Sequence, residues 1–406
     1  MTASETNRPF IAIACGGTGG HLFPGLAVAE QLKRRGCDVA LLISPKNVDQ
    51  TAVESVVGMA VFTLPAVALQ NKNYISFARS FWHSFRAARK IFRQRPPAAV
   101  LAMGGFTSAP PVLAARKFSA KTFLHESNTI PGRANRLLAR FVDEAFVGFP
   151  EVSGKLKARK ITVTGTPVRP QFSSQSAIGN WQSAIALGLD PDLPTILVVG
   201  GSQGASGLNE MILSALLRLT EENWQWLHLT GAKDFEKVKN FYVSQKIKAV
   251  VKPFLVEMDL ALGAATACVS RSGASSLAEI AAMRLPSLLV PFPAAADNHQ
   301  FFNALAFEKT GACRLLEQKN STPEKTVALL AELVGNESAR STMQSALAQW
   351  HAPQSAEQIA ENILAALVSE RRSLTRLEAA DVAKPTGSET GAPFDDSRAT
   401  VKAVSA

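Results

Sequence analysis

The chain has few cysteines, no long apolar run and a shortage of acidic residues, and each lack narrows what it can be. No stretch approaches the roughly 18 unbroken apolar residues of a spanning helix, so no transmembrane segment is expected. The opening Met1–Arg8 lacks the apolar core of a secretory signal, so export is not expected either. The four cysteines, Cys15, Cys37, Cys268 and Cys313, are scattered with no Cys-x-x-Cys pair. They read as structural or incidental thiols in a reducing cytoplasm. With 33 acidic residues against 43 basic ones, the formal net charge is +10. That balance favours an anionic partner: nucleic acid, acidic lipid or a phosphorylated substrate. Zinc-finger spacing, an aromatic RNA-binding strand and a basic tail are all missing, so nucleic acid is not expected.

Two glycine-rich turns dominate what is present. Phe10–Cys15 runs into Gly16-Gly17-Thr18-Gly19-Gly20-His21, and Thr195–Val199 runs into Gly200-Gly201-Ser202-Gln203-Gly204. Each opens a βα unit in which glycine lets the backbone turn sharply and approach a ligand. The helix that follows offers free N–H groups and a positive dipole end to an anion. Neither turn fits Gly-x-Gly-x-x-Gly, and no acidic residue closes the strand Val39–Ser44, so a nicotinamide dinucleotide is disfavoured. Neither ends in Gly-Lys-Ser/Thr, which argues against a lysine-cradled triphosphate. A different phosphate-containing ligand is expected.

At 406 residues and 47% hydrophobic, the chain should form two domains. Strands are expected at 10–15, 39–44, 60–64, 98–103, 121–125, 144–147 and 161–164, with helices at 24–35, near 49–57, over the basic segment 72–95 and from the Pro110-Pro111 pair. This alternation predicts an α/β fold with doubly wound parallel sheets. Residues 1–166 form the first domain, and the proline-framed 167–194 is the linker. A second domain spans 195–345, with strands at 195–199, 225–229, 249–252, 267–270 and 287–291. Helices at 323–334 and 338–370 close the fold, 346–372 being the last helical part, and the polar 373–406 is expected to be disordered. Asp190-Pro-Asp192 spells a metal-binding Asp-x-Asp but reads as a turn before a strand.

Residues 72–95 hold seven Lys or Arg and no acidic residue. Tyr74, Phe77, Phe81, Phe85, Ala88 and Phe92 fall at helical spacing as a core stripe. Trp82, Arg86, Arg89 and Arg93 form a second stripe suited to an anionic membrane surface.

Four further strings stand at strand ends or at the domain junction: Met103–Pro110, His125-Glu-Ser-Asn128, Gly165-Thr-Pro-Val-Arg169 and Ser270–Glu279, the last followed by Pro291–Gln300. With the two glycine turns, this ordered set resembles the MurG family of peptidoglycan N-acetylglucosaminyltransferases over residues 10–305. The chain departs from the family at Ser127 (commonly glutamine), Thr166 (usually asparagine) and Thr107-Ser-Ala109, and the tail after 372 has no counterpart.

The resemblance implies a GT-B architecture, two Rossmann-like domains facing a cleft. It implies transfer of GlcNAc from UDP-GlcNAc, with inversion, to the C4 hydroxyl of the muramoyl sugar of lipid I, without a bound metal or cofactor. The expected place is the cytoplasmic face of the plasma membrane, with other cell-wall synthesis proteins as further partners. By the same resemblance Ser202, Gln203 and Gly204 bind the UDP diphosphate, faced by Thr18, Gly19 and Gly20, with Arg169 adding a cation. Glu279 takes the ribose diol, Ala274, Ser275 and Ser276 lie beside the nucleotide, Leu255 contacts uracil, and Gln300 reads GlcNAc hydroxyls. His21 is either the general base or a residue that only positions substrate. Glu126 and Asn128 contact the acceptor or orient the base, and Asn128 also counts among the UDP-GlcNAc-binding residues. Other readings are a UDP-GlcNAc epimerase, a transferase with a soluble acceptor, and a non-catalytic nucleotide-sugar scaffold.

Overall fold

The computed structural model describes residues 8–46, 49–50, 53, 58–65, 74–172, 181–201, 204–219 and 223–382, with backbone only at 74 and 370–382. The expected helix near 49–57 lies largely outside these residues.

Seven strands build the first sheet: β1 (Phe10–Ala14), β2 (Asp38–Ile43), β3 (Ala60–Thr63), β4 (Ala99–Ala102), β5 (Lys121–Glu126), β6 (Glu144–Val147) and β7 (Ile161–Val163). They are parallel, in the order β3-β2-β1-β4-β5-β6-β7. The second sheet holds β8 (Thr195–Val199), β9 (Gln225–Leu229), β10 (Ala249–Lys252), β11 (Ala267–Ser270), β12 (Ser287–Leu289) and β13 (Arg314–Leu315). Its order is β10-β9-β8-β11-β12-β13, again parallel. Both sheets therefore reverse direction beside their first strand. Each of those reversal points, where open α/β sheets bind ligands, lies at a glycine turn.

The central strands are apolar throughout because both faces are covered. Ile11, Ile13, Leu41, Ile43, Leu101, Phe123 and Phe146 meet Leu22, Val28 and Leu32 of the helix Gly19–Arg34 on one face. The alternate residues Ala12, Ala14, Leu42, Val100, Ala102 and Leu124 pack with Ala88, Phe92 and Val112 on the other.

The single closing helix expected over 338–370 is two helices, Glu337–Ala348 and Ser355–Val382. Pro353 lies between them, where a missing N–H and the ring clash end a helix. Trp350, stacked on Phe307 at 4.4 Å and against Phe149 of the first domain at 5.5 Å, fixes the crossing. The last helix then returns to the first sheet. Its Ile359 and Ile363 are fully buried there, each contributing about 1.5–3 kcal/mol. Arg35 pairs with Glu357 at 2.6 Å and Glu361 at 3.2 Å. The backbone stays helical through Val382, past the Arg372 boundary, and 383–406 lie outside the described residues.

Two further differences concern element ends. The first helix begins at Gly19 rather than 24, with Pro24 inside it, so Gly19, Gly20 and His21 form its first turn. Strand β13 is only two residues long, too short to leave a pattern. Asp190 Oδ1 accepts the Asp192 N–H at 3.0 Å, which makes that pair a turn.

Candidate active site

A cleft of about 2180 Å³ lies between the two sheets and is lined from both domains. On the first side, the turn after β1 is fixed by three side chains. Asp49 Oδ2 accepts the Gly17 N–H at 2.6 Å, Thr107 Oγ1 donates to the Gly16 carbonyl at 2.6 Å, and Lys46 Nζ donates to the Gly17 carbonyl at 2.8 Å. Gly17 has φ +112°, so only glycine holds this corner without strain.

His21, half-buried on the cleft wall, follows from that corner. Its ring lies on Gly104-Gly105, whose φ values are +105° and +77°. A Cβ added at Gly105 would stand 3.0 Å from ring Cε1, and one at Gly104 3.2 Å from Nε2. Nδ1 is 3.2 Å from Thr18 Oγ1. Burial pushes the imidazole pKa down to about 4; Asp49 opposes this, while His299 and Lys46 reinforce it. The ring is therefore neutral near pH 7. In the tautomer whose Nδ1–H is donated to Thr18 Oγ1, the Nε2 lone pair is free to accept a proton.

This packing gives a prediction. Gly105→Ala places a methyl against the ring and costs about 1–2 kcal/mol in left-handed backbone. A misplaced imidazole should lower kcat by about 10²-fold. Steady-state rates beside calorimetric UDP titration check this, the expected outcome being a lower kcat with UDP affinity unchanged.

Glu126 ends β5 and is buried. Its carboxylate accepts Asn128 N at 2.9 Å, Asn128 Nδ2 at 3.1 Å, Gly132 N at 2.9 Å and Asn135 Nδ2 at 2.7 Å. Four donors on one carboxylate anchor the loop 127–135 and engage its lone pairs. His125 Nε2 is 3.0 Å from the Gly165 carbonyl, and Nδ1 is 3.1 Å from Ser127 Oγ. It is a buried structural histidine, held near pKa 4 chiefly by burial.

On the second side, Ser202 and Gln203 lie outside the described residues. Gly204 has φ +74°, and a Cβ there would meet the Thr230 carbonyl oxygen at 2.4 Å; it packs against the neighbouring strand end and does not line the cleft. Ala274, Ser275 and Ser276 open the helix Ala274–Met283 on the cleft wall, and Leu255 is buried beside them. Glu279 faces Arg169 Nη2 at 3.7 Å, with both side chains 12% exposed. Arg169 lies over Phe23 at 4.2 Å and Phe172 at 5.0 Å. Burial raises the Glu279 carboxyl to about 7 and outweighs the pull of Arg169. Gln300 Oε1 accepts the Phe292 N–H at 3.0 Å, which leaves its amide nitrogen toward the cleft it lines.

Sequence reasoning missed several residues. Arg271 donates to the carbonyls of Val290 and Pro291, each at 3.0 Å, and to Gln318 Oε1 at 2.8 Å, so it holds the loop before Gln300. Burial brings its pKa down to about 10. Asp297 pairs across the cleft with Arg136 at 2.9 Å and Arg133 at 3.3 Å. Asn303 bridges the domains in the same region. Arg271 and Asp297 lay in strings that the sequence singled out, Ser270–Glu279 and Pro291–Gln300, although neither residue was named; Arg136 and Asn303 lay in none.

The helix Tyr74–Gln94 divides differently from the expected stripe. Ala88 and Phe92 are in the core, whereas Phe77 and Phe81 line the far end of the cleft. Trp82 is 52% exposed, stacked on Phe85 at 5.6 Å, with the Arg86 guanidinium over its ring at 5.6 Å. Arg89 and Arg93 are exposed. The side chain of Tyr74 is outside the description.

Two family models match the chain: the glycosyltransferase family 28 N-terminal domain over residues 11–147 and its C-terminal domain over 195–362. A UDP-N-acetylglucosamine–N-acetylmuramyl-(pentapeptide) pyrophosphoryl-undecaprenol N-acetylglucosamine transferase of Anaeromyxobacter sp. (strain Fw109-5) is 35% identical over 370 residues, 88% of this chain and 93% of that protein. The Rhizobium rhizogenes (strain K84) protein of the same name is 33% identical over 387 residues, 93% of this chain and all of that one. The crystal structure of Acinetobacter baumannii MurG superposes with a TM-score of 0.69 at 26% identity, covering 88% of this chain and 99% of that one. The calicheamicin glycosyltransferase CalG4 shares the fold at a TM-score of 0.62 and 17% identity. Two Rossmann-like sheets across a shared cleft, each matched by a family 28 domain, define a GT-B glycosyltransferase. Within that class the chain belongs to the MurG family of N-acetylglucosamine transferases.

Proposed function

We propose that the protein transfers GlcNAc from UDP-GlcNAc to the C4 hydroxyl of the MurNAc-pentapeptide on undecaprenyl diphosphate, inverting the anomeric centre and releasing UDP. The observation that carries this reading is the meeting, in one cleft, of a neutral histidine on the first domain with the Glu279 and Gln300 wall of the second. Glu279 would accept the ribose hydroxyls, and Gln300 would donate to the sugar. The acceptor hydroxyl approaches His21, whose Nε2 takes its proton as the new glycosidic bond forms and the bond to the diphosphate breaks. The charge that develops on UDP falls at the open N-terminus of the helix Ala274–Met283, an anion site already oriented before reaction. Glu126, occupied by its four donors, would hold the acceptor loop and leave proton removal to His21. Radiolabelled UDP-GlcNAc incubated with a lipid I analogue should yield labelled lipid-linked disaccharide. Binding without transfer would favour a nucleotide-sugar scaffold instead.

Among the described residues no helix is long and apolar enough to cross a membrane. A lipid-linked acceptor would be met at the bilayer surface, and the reading puts the cationic face of Tyr74–Gln94 against anionic headgroups on the cytoplasmic side. Each basic residue near such a surface is worth about 1 kcal/mol. Replacing Arg86, Arg89 and Arg93 together by glutamine should therefore weaken sedimentation with phosphatidylglycerol vesicles by about 10²-fold. Turnover of a short-chain, water-soluble acceptor should be unchanged. Equal sedimentation of the triple variant would remove this face from the membrane contact.

A further inference from the structure

Asn303 lies one turn after Gln300 in the helix His299–Lys309 and is fully buried. Its amide oxygen accepts both the Thr129 N–H and the Thr129 hydroxyl at 2.9 Å. Its amide nitrogen donates to Asn128 Oδ1 at 3.0 Å and to the Ser272 carbonyl at 3.1 Å. An asparagine side chain offers two lone pairs and two N–H groups, so this one is used completely. Three of its bonds cross to the first domain. The fourth reaches the turn that opens the helix of Glu279.

No other side chain of this size fills the position. Aspartate would turn lone pairs toward two oxygens, and leucine would leave buried donors and acceptors unpaired. The bonds continue on both sides. Asn128 rests on Glu126, Glu126 holds Asn135, and Asn135 and His21 Nε2 both lie beside Gly104. In the other direction Ser272 Oγ donates to the Gln300 carbonyl at 2.8 Å. The ion pairs of Asp297 with Arg133 and Arg136 also span the cleft, but those arginines are 82% and 45% exposed. Exposed pairs fix geometry weakly. The contacts of Asn303, by contrast, are buried and directional.

We propose that Asn303 is a positioning residue: it sets the loop Asn128–Asn135, and through it His21, in register with the domain that carries Gln300. The inference rests on the donor reading above and adds a residue that touches neither substrate. In its absence the two halves of the site still exist, but their separation and tilt are no longer fixed, and a shift of about 1 Å between reacting groups costs about 10²-fold in rate.

Hydrogen–deuterium exchange on the full chain, with and without UDP-GlcNAc, tests this. Wild type should gain protection at 275–279, from direct contact, and also at 129–138, across the interface. Asn303→Leu should keep the first and lose the second, with kcat lower by about 10²-fold and the donor KM within about threefold. Thr129→Val removes one hydroxyl with little change of shape. It gives a second reading should Asn303→Leu fold poorly, and partial loss at 129–138 is expected. Full protection of 129–138 together with wild-type kcat in both variants would overturn the proposal. Wild type protected at 275–279 but silent at 129–138 would also overturn it while sparing the donor reading. No protection at either segment in wild type would remove the donor reading and this inference with it.

Discussion

His21→Ala is expected to lower kcat by about 10²- to 10⁴-fold, the range for loss of a positioned general base, while UDP still binds. The imidazole stands on Gly104-Gly105 with Nδ1 beside Thr18 Oγ1, and burial holds its pKa near 4. A base must be unprotonated to act. Activity governed by His21 is therefore present above that pKa and lost as pH falls through it. The acidic limb that belongs to His21 should lie below 6.5, where an unperturbed histidine would place it. It is read from kcat, because Glu279 with its pKa raised to about 7 governs the acid side of kcat/KM for the donor. Bound diphosphate adds negative charge nearby and favours the imidazolium, so the limb of kcat should lie above 4. His21→Gln separates the two roles left open by the sequence. Glutamine can hydrogen-bond and position but cannot take the proton, so it should be nearly as impaired as alanine. Substantial turnover in the glutamine variant would make His21 a positioning residue.

The second large effect is on donor affinity. Glu279→Ala should weaken UDP-GlcNAc binding by about 10²- to 10³-fold, since hydrogen bonds to a charged acceptor are each worth about 1.5–3 kcal/mol. Before donor binds, the carboxyl is buried against Arg169 with its pKa raised to about 7. Two ribose hydroxyls are accepted far more strongly by the ionised form, whose oxygens are both free acceptors, so binding favours loss of the proton from whatever fraction is protonated. Affinity should be level above about pH 7 and fall by up to about tenfold for each unit below it. Calorimetry in buffers of different ionisation enthalpy would register the released proton. Glu279→Gln keeps the shape and should abolish the pH dependence along with most of the affinity. A Glu279→Gln profile as steep as that of wild type would assign the titration to another group.

The strands were legible because buried parallel strands are short apolar runs closed by glycine, as Phe10–Ala14 before Gly16 and Thr195–Val199 before Gly200 show. β13 was not, since Arg314-Leu315 carries no pattern. Apolar spacing on both sides of Pro353 reads as one helix, and the proline divides it. Of the candidate site, Thr18, His21, Glu126, Arg169, Glu279 and Gln300 all line the cleft. Thr18, His21 and Glu126 stand at strand-end turns, and Glu279 and Gln300 in the first turns of helices that follow such turns or loops, which announce themselves in sequence. What could not be read was partnership. Nothing local to Glu126 reveals four donors, and Glu279 shows no sign of facing Arg169. Thr129 and Asn303 are 174 positions apart, and their bond exists only once the two domains meet.

The account rests on a single displacement, in which a hydroxyl activated on one domain attacks a sugar held on the other from the side opposite the diphosphate. Proton NMR of the disaccharide formed from α-linked UDP-GlcNAc tests that step most directly. A β-glycosidic linkage is the result expected of one in-line displacement with His21 as base. An α-linkage would require either a covalent intermediate or front-face attack, and would contradict the arrangement derived from this cleft.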